Sequence, residues 1–195
     1  MNSLSQIVSA ADFTPVFTVS AAGKEPGMTR VEVVTASAGD QDAVLGILRS
    51  ASTARPGARA STWGREFPDV IRDLPAGLVH LARLDGRPVA TFVLRWSDER
   101  VWGPDDGEAG YLHRLATHPG VAGRGIGAQL IAVAADLTSE RGRRWLRLDC
   151  DRDNERLRGY YEALGFAHAG DVDSLPRTTQ PGYRAASRYE RAING

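Results

Sequence analysis

The sequence has few of the features that would tie a protein to a metal, a membrane or a nucleic acid. Its single cysteine, Cys150, allows no internal disulfide bond and no paired-cysteine motif, so no metal site is predicted. No apolar run approaches the ~20 residues of a membrane span, and the first 28 residues lack the pattern of a secretory signal. Lysine and arginine total 24, as do aspartate and glutamate, so the basic excess of a nucleic-acid-binding protein is missing. We therefore expect a soluble, cytoplasmic protein with no nucleic-acid or membrane partner.

The length and composition favour one globular domain with a short extension. The chain has 195 residues, of which 42% are hydrophobic, enough to build a core. Residues 1–28 are rich in Ser, Ala, Gly and Thr, which predicts a poorly ordered N-terminal extension. Residues 29–195 are expected to form a single domain.

Apolar periodicity and turn signals predict a mixed sheet flanked by helices. Strands are expected over 30–35, 78–84, 87–96, 111–117, 145–150, 166–170 and 183–193. Helices are expected from Asp40 with an apolar side of Val44, Leu45, Ile47 and Leu48, over 63–73 with a break at Pro68, over 125–141 and over 154–164. Residues 52–62 and 97–110 are expected to be loops. This order of elements indicates an α/β (or α+β) fold with a crossover near the middle of the sheet.

A glycine-rich loop, Gly123-Arg124-Gly125-Ile126-Gly127, lies between a predicted strand and a predicted amphipathic helix. Backbone N–H groups at such a helix start, together with the helix dipole, suit a phosphate or pyrophosphate group. A plain helix-capping turn is the alternative. The sequence also resembles a dinucleotide-binding fingerprint, which would consist of Gly123, Gly125 and Ala128 with Asp149 downstream. Too little chain follows Asp149 for the second nucleotide-binding half that such a fold requires.

The sequence downstream of this loop resembles a known family, the GCN5-related N-acetyltransferases (GNAT). The family has a strand followed by R/Q-x-x-G-x-G/A at a helix start, then a second strand and an Asn-led helix that ends in Tyr-x-x-x-Gly-Phe. The matching residues are Leu115-Ala116-Thr117-His118-Pro119, Gly125-Ile126-Gly127, Leu146-Arg147-Leu148-Asp149, Asn154, Tyr161, Gly165 and Phe166. The chain departs from the pattern at Ala122, where the family has the Arg or Gln that helps to hold the pyrophosphate; Arg124 could compensate.

The resemblance implies a GNAT-like acyl-CoA N-acyltransferase fold, with acetyl-CoA as acyl donor and direct attack by an amine in a ternary complex. The implied cofactor-binding residues are Leu115, Ala116 and Thr117 on the strand, Val121, Ala122, Gly123, Arg124, Gly125, Ile126, Gly127 and Ala128 around the loop, and Asn154 and Tyr161 beyond it. A backbone N–H near Leu115 or Ala116 would polarise the thioester carbonyl. Asn154 could equally serve only as a helix N-cap.

Two residues are expected to be catalytic. Tyr161 is the candidate general acid, because a phenol with an ordinary pKa near 10 can protonate a thiolate of similar basicity; packing against the sheet is the alternative. Its neighbour Tyr160 lies ~100° further round the helix. His113 is the candidate general base, with a purely structural strand histidine as the alternative. His80 and Asp149 are further candidates for the base.

Other candidate residues are expected to have structural or substrate-binding roles. His118, before Pro119, is expected to be structural, and Cys150 to be an inert buried thiol rather than a nucleophile. The segments expected to line the acceptor site contain Arg55, Arg59, Trp63, Arg65 and Glu66 and, separately, Asp98, Glu99, Trp102, Asp105, Asp106 and Glu108. The acidic group suits a cationic amine, whereas the arginines and Trp63 suit a carboxylate or an aromatic amine.

The motifs and candidate residues are compatible with two functions. The first is an N-acetyltransferase that acts on a small-molecule or peptide amine, and the second is a catalytically idle acyl-CoA-binding sensor. A homodimer through the C-terminal strand from Tyr183 is a further expectation.

Overall fold

The described strands form one eight-stranded sheet, and helices lie in several of the connections between them. The computed structural model describes the backbone of residues 16–18, together with residues 30–53, 67–173 and 185–193. The strands are β1 Val16–Thr18, β2 Glu32–Thr35, β3 Val79–Leu84, β4 Arg87–Arg95, β5 Ala109–Thr117, β6 Trp145–Asp151, β7 Ala167–Val172 and β8 Ala186–Ala192. The helices are α1 Gln41–Thr53, α2 Pro68–Asp73, α3 Glu99–Trp102, α4 Ile126–Glu140 and α5 Glu155–Ala163.

The sheet has the strand order β1-β2-β3-β4-β5-β6-β8-β7. Among these described strands only β5 and β6 run parallel, and α4 connects them, whereas every other neighbouring pair is antiparallel. A parallel pair needs such a crossover connection, which is why a helix stands between these two strands. The predicted mixed sheet with a crossover near its middle is thereby confirmed.

The helices cover the two faces of the sheet separately. On one face, called here the α1/α2 face, the predicted apolar side of α1 is buried together with Val70 of α2 and with Leu81 and Val93 of the sheet. On the other, the α4/α5 face, residues such as Leu130 of α4 and Tyr161 of α5 pack on the sheet. Side chains alternate between the two faces along each strand, so the position of a residue in its strand decides which of the two cores it enters.

The β3–β4 hairpin forms where the Asp85-Gly86 dipeptide predicts it. Asp85 and Gly86 have φ of 51° and 75°, the left-handed values that a type I′ turn requires at both central positions. Asp tolerates this region better than most residues and Gly adopts it freely, so a two-residue turn closes the hairpin.

Several elements differ from the sequence expectation. Pro68 begins α2 instead of breaking a longer helix, since the first helical turn needs no N–H from proline. The predicted loop over 97–110 contains the short helix α3, and β5 begins two residues earlier than expected. Residues 54–66, which include Arg55, Arg59, Trp63, Arg65 and Glu66, lie outside the described residues.

Two strands lie in segments for which the sequence made other predictions. Residues 16–18, within the predicted extension, form β1 and pair with β2 at the sheet edge. The last strand, β8, pairs with β6 on one side and β7 on the other, so both of its edges are used within the sheet. The division into extension and domain and the homodimer through the C-terminal strand stay predictions.

A β-bulge at Arg114 shapes the middle of the sheet. Ala116 faces Thr91 and His113 faces Val93, so two residues of β5 oppose one of β4 between these pairs. Arg114 has φ of 52°, and its guanidinium group, 6% exposed, donates to both carboxylate oxygens of Asp69 at 3.0 and 3.1 Å. This ion pair holds the bulge against α2 and offsets the cost of the left-handed conformation.

We expect Asp69→Asn to destabilise the fold by about 2–4 kcal/mol, because it leaves the buried Arg114 without its anion. Burial alone would raise the pKa of Asp69, but Arg114 and Arg95 outweigh it and hold the pKa below 3.8. A lowered carboxyl pKa stabilises the fold above the unfolded value and loses this effect as the pH falls below about 4. Urea unfolding at pH 7 and pH 3.5 measures both effects.

The matched control is Asp42→Asn, at an exposed site in the first turn of α1. We expect the Asp69 variant to lose less stability than the wild type between pH 7 and pH 3.5. If the wild type and the Asp69 variant lose the same free energy of unfolding between these pH values, this account of the ion pair is wrong.

Candidate active site

The sheet splits between its two parallel strands. β5 and β6 pair only from Ala109 with Trp145 to Leu112 with Leu148. Beyond this point β5 stays with β4 as far as Thr117, and β6 stays with β8 as far as Asp151. A bulge bends its strand, which accounts for the departure of β5 from β6. Within the described strands, the β5 edge from His113 to Thr117 therefore has no sheet partner on the β6 side.

The predicted cofactor-binding residues of β5 lie along this open edge. Leu115 packs against the core of the α4/α5 face, and Ala116 is buried in the core of the α1/α2 face. Their side chains are thus used by the fold, whereas the backbone groups between them face the split. An extended chain could hydrogen-bond to this edge as a neighbouring strand would.

The glycine loop lies at the start of α4, as predicted. Gly123 and Gly125 have φ of 77° and 74°, and residues 122–125 are exposed. The first intrahelical bond runs from the N–H of Gln129 to Gly125 O at 3.2 Å. The N–H groups of residues 126–128 therefore lie in the first turn without an intrahelical acceptor, which is the geometry of an anion site.

Tyr160 borders this loop, a contact that sequence reasoning did not predict. A Cβ atom at Gly127 would lie 2.8 Å from the Tyr160 hydroxyl oxygen, so α5 places this hydroxyl directly over the first turn of α4. Burial raises the pKa of Tyr160, although the residue remains 38% exposed. The position of Gly127 in the motif carries no signal for this contact, because it depends on how α4 and α5 pack.

Tyr161 and Asn154 occupy well-defined places on α5. Tyr161 is 7% exposed and packs against Phe166 and Tyr189, with ring centroids 5.8 and 6.3 Å apart. Asn154 caps the helix, since its Oδ1 accepts the N–H of Leu157 at 3.1 Å. The predicted N-cap is confirmed, and the roles of both residues toward a cofactor remain predictions.

Three titratable side chains meet on the α1/α2 face, beside the split. We call Asp98, His113 and Asp149 the acid–histidine cluster, and one ligand atom of each lies within 4.8 Å of the others. His113 Nε2 is 3.6 Å from Asp98 Oδ2, which is longer than a hydrogen bond, and the two side chains are 7% and 8% exposed. The first residues after the paired segment of β5 and β6 are His113 and Asp149, so the split itself brings them together.

The environment shifts the pKa values of this cluster in opposite directions. Burial, with the positive charges of Arg95, Arg114 and Arg100, lowers the pKa of His113 to about 3. Burial and the nearby Asp149 raise the pKa of Asp98 to about 6. At pH 7 the imidazole is therefore neutral, and Asp98 is a carboxylate that can take up a proton near neutrality.

A histidine and two carboxylates are also ligand types for a divalent cation. The same three arginines that lower the pKa of His113 surround this place with positive charge. This charge opposes the binding of a cation, whereas the two carboxylates favour it, and both effects scale with the charge of the ion. The hydrogen-bond acceptors of the cluster suit an ammonium as well as a metal ion.

The remaining candidate residues have structural surroundings. His80 stacks on Phe92 with ring centroids 4.6 Å apart, and burial lowers its pKa to about 4. It lies in β3 with its side chain on the α4/α5 face, away from the cluster. His118 accepts the N–H of Gly120 at 3.1 Å and so caps the turn before the glycine loop. Burial, aided by Asp149, raises the pKa of the Cys150 thiol to about 12.

The acidic loop before β5 is largely neutralised by arginines. Asp105 pairs with Arg143, Asp106 with Arg147 and Glu108 with Arg144. Asp98 differs from these acids because it is buried and points toward His113 rather than toward an arginine. Of the predicted acidic group, Asp98 therefore has the surroundings expected of a functional carboxylate.

The chain is similar to known acetyltransferases. A model of the acetyltransferase (GNAT) family matches residues 45–166. An uncharacterized N-acetyltransferase, YesJ of Bacillus subtilis (strain 168), is 32% identical over 114 residues, which cover 55% of this chain and 62% of YesJ. The chain thus matches less than two thirds of that relative's length.

Solved structures share the fold. An acetyltransferase of the GNAT family from Listeria monocytogenes 4b F2365 aligns with a TM-score of 0.67 and 21% identity, covering 91% of this chain and all of that one. The structure of yncA from Salmonella typhimurium, with its cofactor acetyl-CoA, aligns with a TM-score of 0.63 and 14% identity over 85% of this chain and 95% of that one. In the described parts of our chain, no helix combines the length and apolar character needed to cross a bilayer.

We expect Cys150 to be unreactive in the folded protein. Its thiol is buried and its pKa is about 12, so almost no thiolate exists at pH 7.5. Ellman's reagent should label the native protein at least about a hundredfold more slowly than the urea-unfolded protein. Rapid labelling of the native protein would contradict the buried placement and would restore Cys150 as a candidate nucleophile.

Proposed function

Because the chain belongs to the acetyltransferase (GNAT) family, we propose that it transfers the acetyl group of acetyl-CoA to an amine by direct attack in a ternary complex. The observation that supports this most is the open edge of β5, which begins beside the acid–histidine cluster and ends at Thr117, one short turn before the glycine loop. A ligand extended along that edge would reach an anion site at one end and a carboxylate at the other.

The described residues fit acetyl-CoA in three places. The backbone of Leu115, Ala116 and Thr117 would bind the extended arm, and an N–H near Leu115 or Ala116 would polarise the carbonyl oxygen. The segment from Val121 to Ala128 would hold the pyrophosphate through its N–H groups, with Arg124 supplying charge where Ala122 supplies none. Bound there, acetyl-CoA supplies an activated acyl group.

The proton transfers can be assigned to two side chains. An amine is protonated at neutral pH, and its nitrogen must lose a proton before it attacks the acyl carbon. Sequence reasoning gives this role to His113, but an imidazole with a pKa of about 3 is a weak proton acceptor. We propose instead that Asp98 accepts the proton and that neutral His113 orients the amine. As the C–N bond forms and the C–S bond breaks, Tyr161 would protonate the thiolate.

The names of similar proteins support the same activity. YesJ is called an N-acetyltransferase, and yncA was solved with acetyl-CoA. We also propose that the protein works in the cytoplasm, and that residues 29–195 form the catalytic domain behind an extension over residues 1–28. The second candidate function, an idle acyl-CoA sensor, is favoured only by Ala122, which replaces the family's Arg or Gln.

Binding and turnover test the proposal together. At a hundredfold excess over Kd, acetyl-CoA should stabilise the protein by about 2.7 kcal/mol, which is about 5–10 °C in melting temperature for this size. Free CoA should act similarly and NAD should not. Release of CoA thiol with a panel of amines then separates an enzyme from a sensor.

In the same assay, Tyr161→Phe should lower kcat by at least about a hundredfold, as expected for loss of a general acid. Tyr160→Phe removes the neighbouring hydroxyl over Gly127, and we expect it to act mainly on the Kd for acetyl-CoA. No melting shift with either CoA species would refute the proposed function, and a shift without turnover of any amine would favour the sensor.

The pH dependence tests the role of Asp98. Below its pKa of about 6 the carboxylate is protonated and cannot accept a proton, so kcat/KM should fall about tenfold per pH unit. Asp98→Asn should abolish this acidic limb of the pH profile and lower kcat/KM at pH 7.5 by about a hundredfold or more. Glu99→Gln, at the adjacent exposed position, should keep the limb. An unchanged limb in Asp98→Asn would assign the base to another group.

A further inference from the structure

Four buried polar atoms beside the split have no hydrogen-bond partner among the described residues. They are Asp98 Oδ2, His113 Nε2, Trp102 Nε1 and Arg188 Nε. The side chains of Asp98 and His113 are each more than nine-tenths buried. Native proteins leave few buried polar atoms unsatisfied, because such atoms cost stability unless a ligand satisfies them.

The residues that carry these atoms belong to neighbouring parts of the α1/α2 face. Asp98 precedes α3 and Trp102 ends it, and the backbone N–H of Trp102 donates to the backbone oxygen of Asp98 at 2.8 Å. Asp149 lies within 4.8 Å of the ligand atoms of Asp98 and His113. Arg188 is the Cα partner of Asp149 across the β6–β8 pair, and its guanidinium carbon lies 5.5 Å from the Trp102 ring centroid. Helix α3 thus connects Asp98 with Trp102, and Asp149 lies between the Asp98–His113 pair and Arg188.

The atoms fall into two chemical kinds. Asp98 and Asp149 offer carboxylates, and neutral His113 offers a ring nitrogen; these groups suit an ammonium. Trp102 and Arg188 offer N–H groups, and a guanidinium suits a carboxylate. A ligand that satisfies both kinds must itself carry a cation and an anion.

Arg188 is the arginine available for this purpose. Arg147 also stacks on Trp102, at 4.9 Å, but its N–H groups already donate to Asp106, Tyr111 and Glu190. Arg188 fits closely over Gly170, where a Cβ atom would lie 2.9 Å from Arg188 Nη2. Among the described residues, the close fit over the Gly170 backbone therefore positions this arginine.

We propose that the acceptor is a small zwitterion, a primary amine that carries a carboxylate close to it, as an α- or β-amino acid does. The ammonium would lie among Asp98, His113 and Asp149, and the carboxylate would bind Arg188 and Trp102. Paired residues on neighbouring strands have Cβ atoms about 5 Å apart, so Asp149 and Arg188 suit a cation and an anion separated by only a few bonds. This inference rests on the proposed function and names its acceptor class.

Matched acceptors test the proposal. The twenty common L-amino acids, their methyl esters and the corresponding decarboxylated amines are compared by CoA thiol release from acetyl-CoA. For the best amino acid we expect kcat/KM at least about tenfold above that of its ester and its amine, because a site with buried donors rejects a ligand that leaves them unpaired. Arg188→Gln should lower kcat/KM for the acid about tenfold or more and leave the ester within about threefold.

Two further variants separate recognition from folding. Trp102→Phe keeps an aromatic ring but removes the N–H, so it should weaken the preference for the acid in the same direction. Arg87→Gln, at an exposed position beside the β3–β4 turn, should leave it intact. Circular dichroism and melting temperature check the fold of each variant.

The outcomes separate this inference from the function on which it rests. Turnover of esters or simple amines at rates equal to or above those of the acids would overturn the zwitterion and leave the acetyltransferase standing. If acetyl-CoA binds and no amine is turned over, the proposed function fails. Calorimetric titration of the amino acids then still decides the inference: binding that Arg188→Gln abolishes supports it, and absence of binding overturns it.

Discussion

The structure depends on the inability of β5 to stay paired with both of its neighbours. It remains with β4 to its last residue, but it leaves β6 after four residue pairs. An unpaired backbone edge is costly where water is excluded, so other interactions must hold the strands apart. The bulge at Arg114 bends β5, and the bidentate contact of Arg114 with Asp69 ties that bend to α2. The split is thus built by a buried ion pair on one face rather than by a gap in the core.

The split also connects two surfaces of different character. On the α4/α5 face it borders the glycine loop and the tyrosines of α5, whose N–H and hydroxyl groups would suit an anionic, extended ligand. On the α1/α2 face it borders buried carboxylates, which suit a cation. Under the proposed reaction the two substrates would therefore meet only where the sheet is open, and each would be recognised on its own face.

The sequence predicted elements that depend on local signals and missed those that depend on register. The hairpin at Asp85-Gly86, the buried side of α1 and the cap at Asn154 each follow from a few neighbouring residues, and each is present. Helix α3 was missed because four residues in a polar, Pro-containing segment carry no periodic signal. The insertion of β8 between β6 and β7 was missed because strand order is decided by long-range pairing.

The candidate site shows the same division. The glycine loop was recognisable because the geometry of an anion site at a helix start depends on consecutive backbone groups. The acid–histidine cluster was only partly recognised: His113 and Asp149 were considered separately, and Asp98 was placed among acids that arginines neutralise. The alternation of side chains along two parallel strands could have placed His113 and Asp149 on the same face, because each follows the last paired residue of its strand. The pKa of Asp98 could not be foreseen, since it depends on burial under α3 and on the nearby Asp149.

The placement of β8 has a consequence for biosynthesis. Residues 186–192 lie between two strands that the ribosome makes earlier, so the facing edges of β6 and β7 stay unpaired until β8 has been synthesised. Arg188 is placed opposite Asp149 only when β8 pairs with β6. A nascent chain lacking this strand would expose two hydrogen-bonding edges, which favours aggregation or chaperone binding. Completion of the sheet therefore depends on the strand that is made last among those described.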